Sequence, residues 1–164
     1  VAIQAALTGH LVLTSIHSND TAAAIVRLID LGVEPFLTTS AVIGSVAQRL
    51  VRKICSYCKT LAPVPPDEAA AYQGEMQEVR TDFYRGRGCN MCSRTGYMGR
   101  MGVYEVLVMS DAIRALISRG ARADEIRAEA IKAGMWTMRR DGMTKAKDGL
   151  TTPREVMRNV FSIT

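Results

Sequence analysis

All four cysteines of the 164-residue chain fall into two C-x-x-C pairs, Cys55-Ser-Tyr-Cys58 and Cys89-Asn-Met-Cys92, with 30 residues between Cys58 and Cys89. A C-x-x-C turn lets two thiolates reach one ion, and two such knuckles complete a tetrahedron. Gly86 and Gly88 precede the second pair and Gly96 follows it, where tight turns require positive φ. Haem attachment would need His directly after a pair, but Lys59 and Ser93 stand there. Dithiol redox chemistry accounts for one pair beside a βαβ pattern, not for two in a Gly-rich section. Disulfides belong to oxidising compartments, and nothing in the sequence indicates export. The spacing therefore points to a structural zinc ion held by Cys55, Cys58, Cys89 and Cys92, with an apo or disulfide-bonded form as the alternatives. Four thiolates leave no open coordination position, so such an ion organises the fold and catalyses nothing.

The two histidines, His10 and His17, flank Leu11-Val-Leu-Thr-Ser-Ile16, a short apolar and β-branched run. It lacks alternation and reads as a strand buried on both faces of a parallel sheet. His17 would then stand at the carboxyl end of that strand, where open α/β sheets bind ligands. There an imidazole can hydrogen-bond a phosphate or orient a water. His10 lies one strand length away, so the two need not share a site. The competing reading is a pair of hydrogen-bonded surface histidines. No Ser-His-Asp or Cys-His arrangement is legible. No G-x-x-x-x-G-K-[S/T] phosphate loop occurs in the 164 residues, so they cannot complete a P-loop nucleotide site by themselves.

These residues need elements to hold them. Ala2 to Leu7 reads as the end of an Ala-rich helix capped by Gly9. The strand at 11–16 comes next, then the polar turn His17-Ser-Asn-Asp20, with Ser18 or Asn19 as N-cap for a helix from about Asp20 to Leu31. Gly32 stops it, and a second, largely apolar helix is expected from about Leu37 to Lys53. Helix, strand, polar turn, helix is half of an α/β unit. The strand has no visible partner and the first helix no N-cap, which suggests a piece of a longer protein. From Cys55 to about Val108 the texture turns to cysteines, glycines and prolines, with a Pro-rich hinge at residues 60–67 and a closing strand from Met101 to Val108. Beyond it the pattern is helical: Ser110 to Ser118, Asp124 to Ala133, Met135 to Asp148, and a last helix with Thr152 as N-cap, Pro153 at its first position and Glu155 as capping-box acid. Three parts result: 1–54, half of an α/β domain; 55–108, a tetracysteine zinc-binding subdomain; and 109–164, a small helical bundle.

Composition narrows the function classes. A hydrophobic content of 48% describes a globular chain, not a disordered one. No apolar run is long enough to span a membrane, and no signal peptide is visible. The net charge of +5 is concentrated beyond Asp111, in residues such as Arg139, Arg140, Lys145, Lys147, Arg154 and Arg158. A basic tail can meet nucleic acid, an acidic protein face or anionic lipid, or simply be the solvated side of amphipathic helices. A nucleic-acid-binding zinc ribbon should carry the charge in the zinc section, which is balanced here, and aromatics are only 5% of the chain.

Ala5-Ala-Leu-Thr-Gly-His-Leu-Val-Leu-Thr-Ser-Ile-His-Ser-Asn-Asp20 closely resembles the histidine box of the ATPases that drive type II secretion and type IV pilus assembly. The likeness continues through Arg27-Leu-Ile-Asp-Leu-Gly-Val-Glu-Pro-Phe36 and Ala47-Gln-Arg-Leu-Val-Arg-Lys-Ile-Cys55. It returns at Gly86-Arg-Gly-Cys89, Gly96-Tyr-Met-Gly-Arg100 and Val103-Tyr-Glu-Val106, so it covers essentially the whole chain. The resemblance implies part of a RecA-like P-loop ATPase domain, acting as a homo-hexamer on the cytoplasmic face of the inner membrane. Such a motor works against a membrane platform protein, is peripheral to the membrane through its partners, and binds no nucleic acid. It uses ATP and Mg²⁺, but the phosphate loop and Mg-holding carboxylates are absent from these residues. By the same match His10 and His17 are the box histidines, with His17 better placed to sense the γ-phosphate. Cys55, Cys58, Cys89 and Cys92 match the zinc ligands, and Arg49 and Arg52 lie in a segment that implies nucleotide or inter-subunit contacts. The alternatives from other classes are a zinc-ribbon nucleic-acid module and a zinc-stapled interaction module without catalysis.

Overall fold

In a computed structural model, which describes residues 1–160, the order of elements is α1 (Ala2–Leu7), α2 (Thr21–Asp30), α3 (Pro35–Ala41), β1 (Gly44–Ile54), β2 (Lys59–Pro63), α4 (Pro66–Met76), β3 (Asp82–Gly86), a 3-10 turn (Asn90–Cys92), β4 (Tyr97–Val108), α5 (Asp111–Ser118), α6 (Ala123–Lys132), α7 (Met138–Lys147) and α8 (Pro153–Val160). Mixed α/β structure is expected from the sequence and is found. Two compact units share these elements. One comprises Val1–Ala47 and Glu105–Met135; the other comprises Gln48–Tyr104 and the residues from Trp136 onward.

In the first unit the core is Ala22 and Ile25 of α2, Leu107 and Met109, Ile113 and Ile117 of α5, and Ile126 and Ala130 of α6. The helical pairs are three or four residues apart, which puts each on one helix face. Ser110 starts α5 as expected, its Oγ accepting from the Ile113 amide at 3.3 Å. Helix α2 is capped by Asp20, not by Ser18 or Asn19: the Asp20 carboxylate accepts from the Ala23 amide at 2.8 Å.

Two expectations fail in this region. Residues 11–16 form no strand; the backbone from 10 to 18 carries no regular structure, and Leu11 and Leu13 are 75% and 88% exposed. A strand is defined by its ladder, and these residues have no partner strand among those described. The expected helix from Leu37 to Lys53 breaks after Ala41, and β1 takes its second half. Val42, Ile43, Val46 and Val51 are β-branched and Gly44 is a weak helix former, so local helix preference is low. The decisive term is long-range: β4 pairs with β1, and Ile43 accepts from the Met109 amide at 3.0 Å.

In the second unit β2 and β3 pair antiparallel in a register from Lys59 opposite Gly86 to Pro63 opposite Asp82. Tyr72 of α4, Phe83 of β3, Met143 and Ala146 of α7 and Val156 of α8 form its core. Tyr72 and Phe83 meet edge to face, with centroids 4.8 Å apart. The prolines of residues 60–67, expected as a hinge, stand at the ends of two regular elements. Pro63 closes β2 and Pro66 occupies the first turn of α4, where a missing N–H leaves no bond unmade. Glu68 on that helix is buried and paired with Arg85 and Arg154. Helix α7 begins three residues later than Met135, behind Thr137, whose hydroxyl accepts from the Arg140 amide at 3.0 Å. Thr152 caps α8 by accepting from the Glu155 amide at 3.2 Å. The Glu155 carboxylate closes no capping box; Arg52 takes it instead. The helices beyond Ser110, expected as one bundle, are divided: α5 and α6 belong to the first unit, α7 and α8 to the second.

Candidate metal centre and histidine loop

Cys55 directly follows β1, Cys58 precedes β2, and ahead of β4 Cys89 is the N-cap of the 3-10 turn and Cys92 its last residue. Their four sulfurs lie within 4.8 Å of one another. The Cys55–Cys89 and Cys58–Cys92 sulfur pairs are each 3.9 Å apart, and Cys89–Cys92 is 3.8 Å. A tetrahedron with metal–sulfur bonds of about 2.3 Å has edges of about 3.8 Å. The cluster thus has the donor set and the spacing for one tetrahedral metal ion.

Backbone geometry holds it there. Gly88 has φ +89°, and a Cβ on it would stand 2.6 Å from the Arg94 carbonyl oxygen. Gly96 has φ +78°, and a Cβ there would stand 2.6 Å from the Gly86 carbonyl oxygen. Only glycine permits both the conformation and the approach. The Cys55 amide donates to the Gly96 carbonyl at 3.0 Å, tying the first knuckle to the loop after the second. The Cys92 sulfur accepts from the Cys89 amide at 3.2 Å and the Gly96 amide at 3.3 Å. The Cys89 amide, supported by that of Gly96 and opposed by burial, brings the Cys92 thiol down to about 6. Loss of water pushes the Cys58 thiol up to about 11, partly offset by the Gly88 amide. Thiolates this close repel, and a bound cation removes the conflict.

The histidines belong to the other unit. His10 is exposed and folds back onto α1, its Nδ1 3.2 Å from Thr8 Oγ1 and 3.3 Å from the Ala5 carbonyl oxygen. His17, also exposed, lines a depression of about 460 Å³ with Ser18, Asn19, Ala23, Val26, Arg27, Asp30 and Ala123; His10 is not among its walls. Ser18 Oγ donates to the Asp20 carbonyl at 3.1 Å. Behind the loop stands a charged group that the sequence does not announce. Asp20 Oδ2 pairs with Arg127 at 3.0 Å, and Arg127 reaches the fully buried Glu105 at 3.2 Å. Glu105 stands in the segment Val103-Tyr-Glu-Val106, and no local spacing links it to residues 20 and 127.

Arg49 and Arg52 lie on β1, three residues apart, which sends them to opposite faces. Arg49 is exposed and its Nη1 donates to the Gln48 carbonyl at 3.4 Å. Arg52 stacks 4.1 Å above the Tyr97 ring and pairs with Glu155. Burial pushes the Glu155 carboxyl up, but the Arg52 guanidinium and amide, with the field of Arg158, outweigh it and hold the carboxyl below its usual range. The same hydrogen bond raises Arg52. The structure therefore does not bring the two arginines together.

No helix among the described residues is long and apolar enough to cross a membrane. Residues 1–158 match the model of a family described as Type II/IV secretion system protein. The chain is 45% identical over 160 residues to the Type IV pilus assembly ATPase PilB of Thermus thermophilus, covering 96% of this chain and 18% of that protein. To Type II secretion system protein E of Pseudomonas aeruginosa it is 43% identical over 159 residues, 96% of this chain and 31% of that one. To Type II secretion system ATPase E of Vibrio cholerae it is 39% identical over 158 residues, again 96% and 31%. The chain spans less than a third of the length of these relatives. Both the cysteine cluster and the histidine loop fall inside the matched residues, and the chain belongs to the Type II/IV secretion system protein family.

Proposed function

We propose that the chain is the C-terminal portion of a hexameric ATPase that powers type II protein secretion or type IV pilus assembly from the cytoplasmic face of the inner membrane, against a membrane platform protein. The observation that carries this reading is the family match over residues 1–158, with relatives of both machines at 39–45% identity. ATP and Mg²⁺ would be held chiefly by residues outside these 164, which contain no phosphate loop. The tetracysteine cluster holds zinc in a closed, structural role, because four thiolates at tetrahedral spacing suit that ion and leave no position for substrate.

Within this reading His17 faces the γ-phosphate or the attacking water, since it lines a depression at the start of α2. An interaction that strengthens as charge develops accelerates the chemical step more than it tightens ground-state binding. In the full-length hexamer, His17→Ala should therefore lower kcat by roughly tenfold to a thousandfold with nucleotide affinity nearly unchanged. His10→Ala should do less. Steady-state kinetics at matched hexamer content decide it: equal, small losses in both variants, or an affinity loss with kcat preserved, would make His17 an ordinary surface residue.

A further inference from the structure

We propose that Arg127, gripping Asp20 and Glu105, is a positioning residue for the His17 loop. The inference rests on the reading of His17 as the phosphate-facing group and adds the device that keeps it in place.

Residues 10–18 have no regular structure, so His17 cannot take its position from a ladder. The residues just after it, Asp20 and Thr21, are tied down by charge and hydrogen bonds. Asp20 splits its carboxylate: Oδ1 accepts from the Ala23 amide at 2.8 Å and caps α2, while Oδ2 meets Arg127 Nη1 at 3.0 Å. Thr21 is fully buried, and both its amide, at 3.3 Å, and its hydroxyl, at 2.6 Å, donate to Glu105 Oε1. The other oxygen, Oε2, faces Arg127 Nη2 at 3.2 Å as an ion pair whose N–H is not well aligned for a hydrogen bond. One guanidinium on α6 thus bridges a carboxylate on β4 and the N-cap of α2, three residues beyond His17.

The arrangement makes two chemical demands that Arg127 meets. Glu105 has no exposed surface, and a buried carboxylate needs a counter-charge. Asp20 and Glu105 together put two negative charges behind a loop that is to receive phosphate, and the arginine cancels part of that repulsion. A planar fork that holds two carboxylates at once also fixes their separation, which a lysine cannot do.

The test uses the full-length protein containing these residues, in four forms: His17→Ala, Arg127→Ala, Arg127→Lys and the double variant His17→Ala/Arg127→Ala. If Arg127 positions His17, Arg127→Ala lowers kcat about tenfold to a hundredfold. The double variant is then no slower than His17→Ala alone, because positioning an absent imidazole does nothing. Arg127→Lys, which keeps the charge, recovers part of the rate. Hydrogen exchange at residues 17–23 should quicken in Arg127→Ala while the core amides of α5 keep their protection. Losses that multiply in the double variant, or exchange at 17–23 that is unchanged, would overturn the proposal. Should Arg127→Ala assemble poorly, Asp20→Asn keeps the cap acceptor while removing the ion pair. It should show the same dependence on His17 in weaker form, and full additivity there would equally overturn the idea. If His17→Ala itself leaves kcat intact, the functional reading of the loop fails, and the exchange data alone judge the clamp.

Discussion

The cysteine cluster and the histidine loop are both small sites built on irregular backbone, yet they are stabilised in opposite ways. The cysteines come from two short knuckles, each carrying both its ligands within four residues and its turns within a few more. The second knuckle is shaped by local backbone, with glycines at positive φ and amides that point at sulfur, and a backbone bond from the Cys55 amide to the Gly96 carbonyl joins the first knuckle to it. The histidine loop has only light local bonding, from Ser18 Oγ to the Asp20 carbonyl and from His10 Nδ1 to Thr8 and Ala5. It is anchored by Asp20, Glu105 and Arg127, from three distant parts of the chain, through charge. A site made of local turns needs a ligand to finish it, whereas a site made by long-range ion pairs needs the surrounding fold intact.

The sharpest way to break this comparison is to remove the metal. Zinc held by structural thiolates contributes on the order of 10 kcal/mol of folding free energy, because the apo ligands have no other partner of equal strength. Freshly prepared, reduced protein should contain about one zinc per chain by elemental analysis. Chelation should speed hydrogen exchange at residues 54–60 and 86–97 while the core of α2, α5 and α6 keeps its protection. Protein that purifies without zinc and is nonetheless protected there would show that the knuckles stand on their own backbone.

Core truncations come next. Phe83→Ala should cost about 3–5 kcal/mol and Ile25→Ala about 2–5 kcal/mol, since each removes a fully buried side chain from a packed cluster. Measured by denaturant titration, both should destabilise, and only Ile25→Ala should loosen residues 17–23. An equal effect of Phe83→Ala on that loop would mean the two sites are not independently supported.

A smaller effect is expected at Glu155. Its folded carboxyl lies below the ordinary value of 4.5, so its contribution is complete above that value and is lost as pH falls through the folded pKa. Glu155→Gln should cost about 1–3 kcal/mol at neutral pH and progressively less as the pH falls below 4.5 and through the folded pKa of the carboxyl. Denaturation midpoints of the two proteins that fail to converge on acidification would refute the assignment. The smallest change is Ser110→Ala, which removes the α5 N-cap and should lower stability by about 1 kcal/mol without touching zinc content or the His17 loop.

The cysteine pairing, the glycines around it, and the caps at Ser110 and Thr152 are all legible in the sequence. Each is a rule about residues within a few positions of one another, where steric and hydrogen-bonding preferences act before any tertiary contact forms. The family likeness is legible too, because it rests on residue order. What only the tertiary structure decided is longer in range. Residues 44–54 became a strand because β4 supplied hydrogen-bond partners. Residues 11–16, with similar β-branched and apolar character, found none among the described residues and stayed irregular. Strand formation is settled by a partner, not by composition. Glu155 obeyed the same logic, giving its carboxylate to Arg52 over a separation of 103 residues instead of closing its own helix. So did Arg127, whose two carboxylate partners lie 107 and 22 residues away in sequence. Helical or strand periodicity cannot announce such pairs, because burying a charge selects whichever opposite charge the fold brings near.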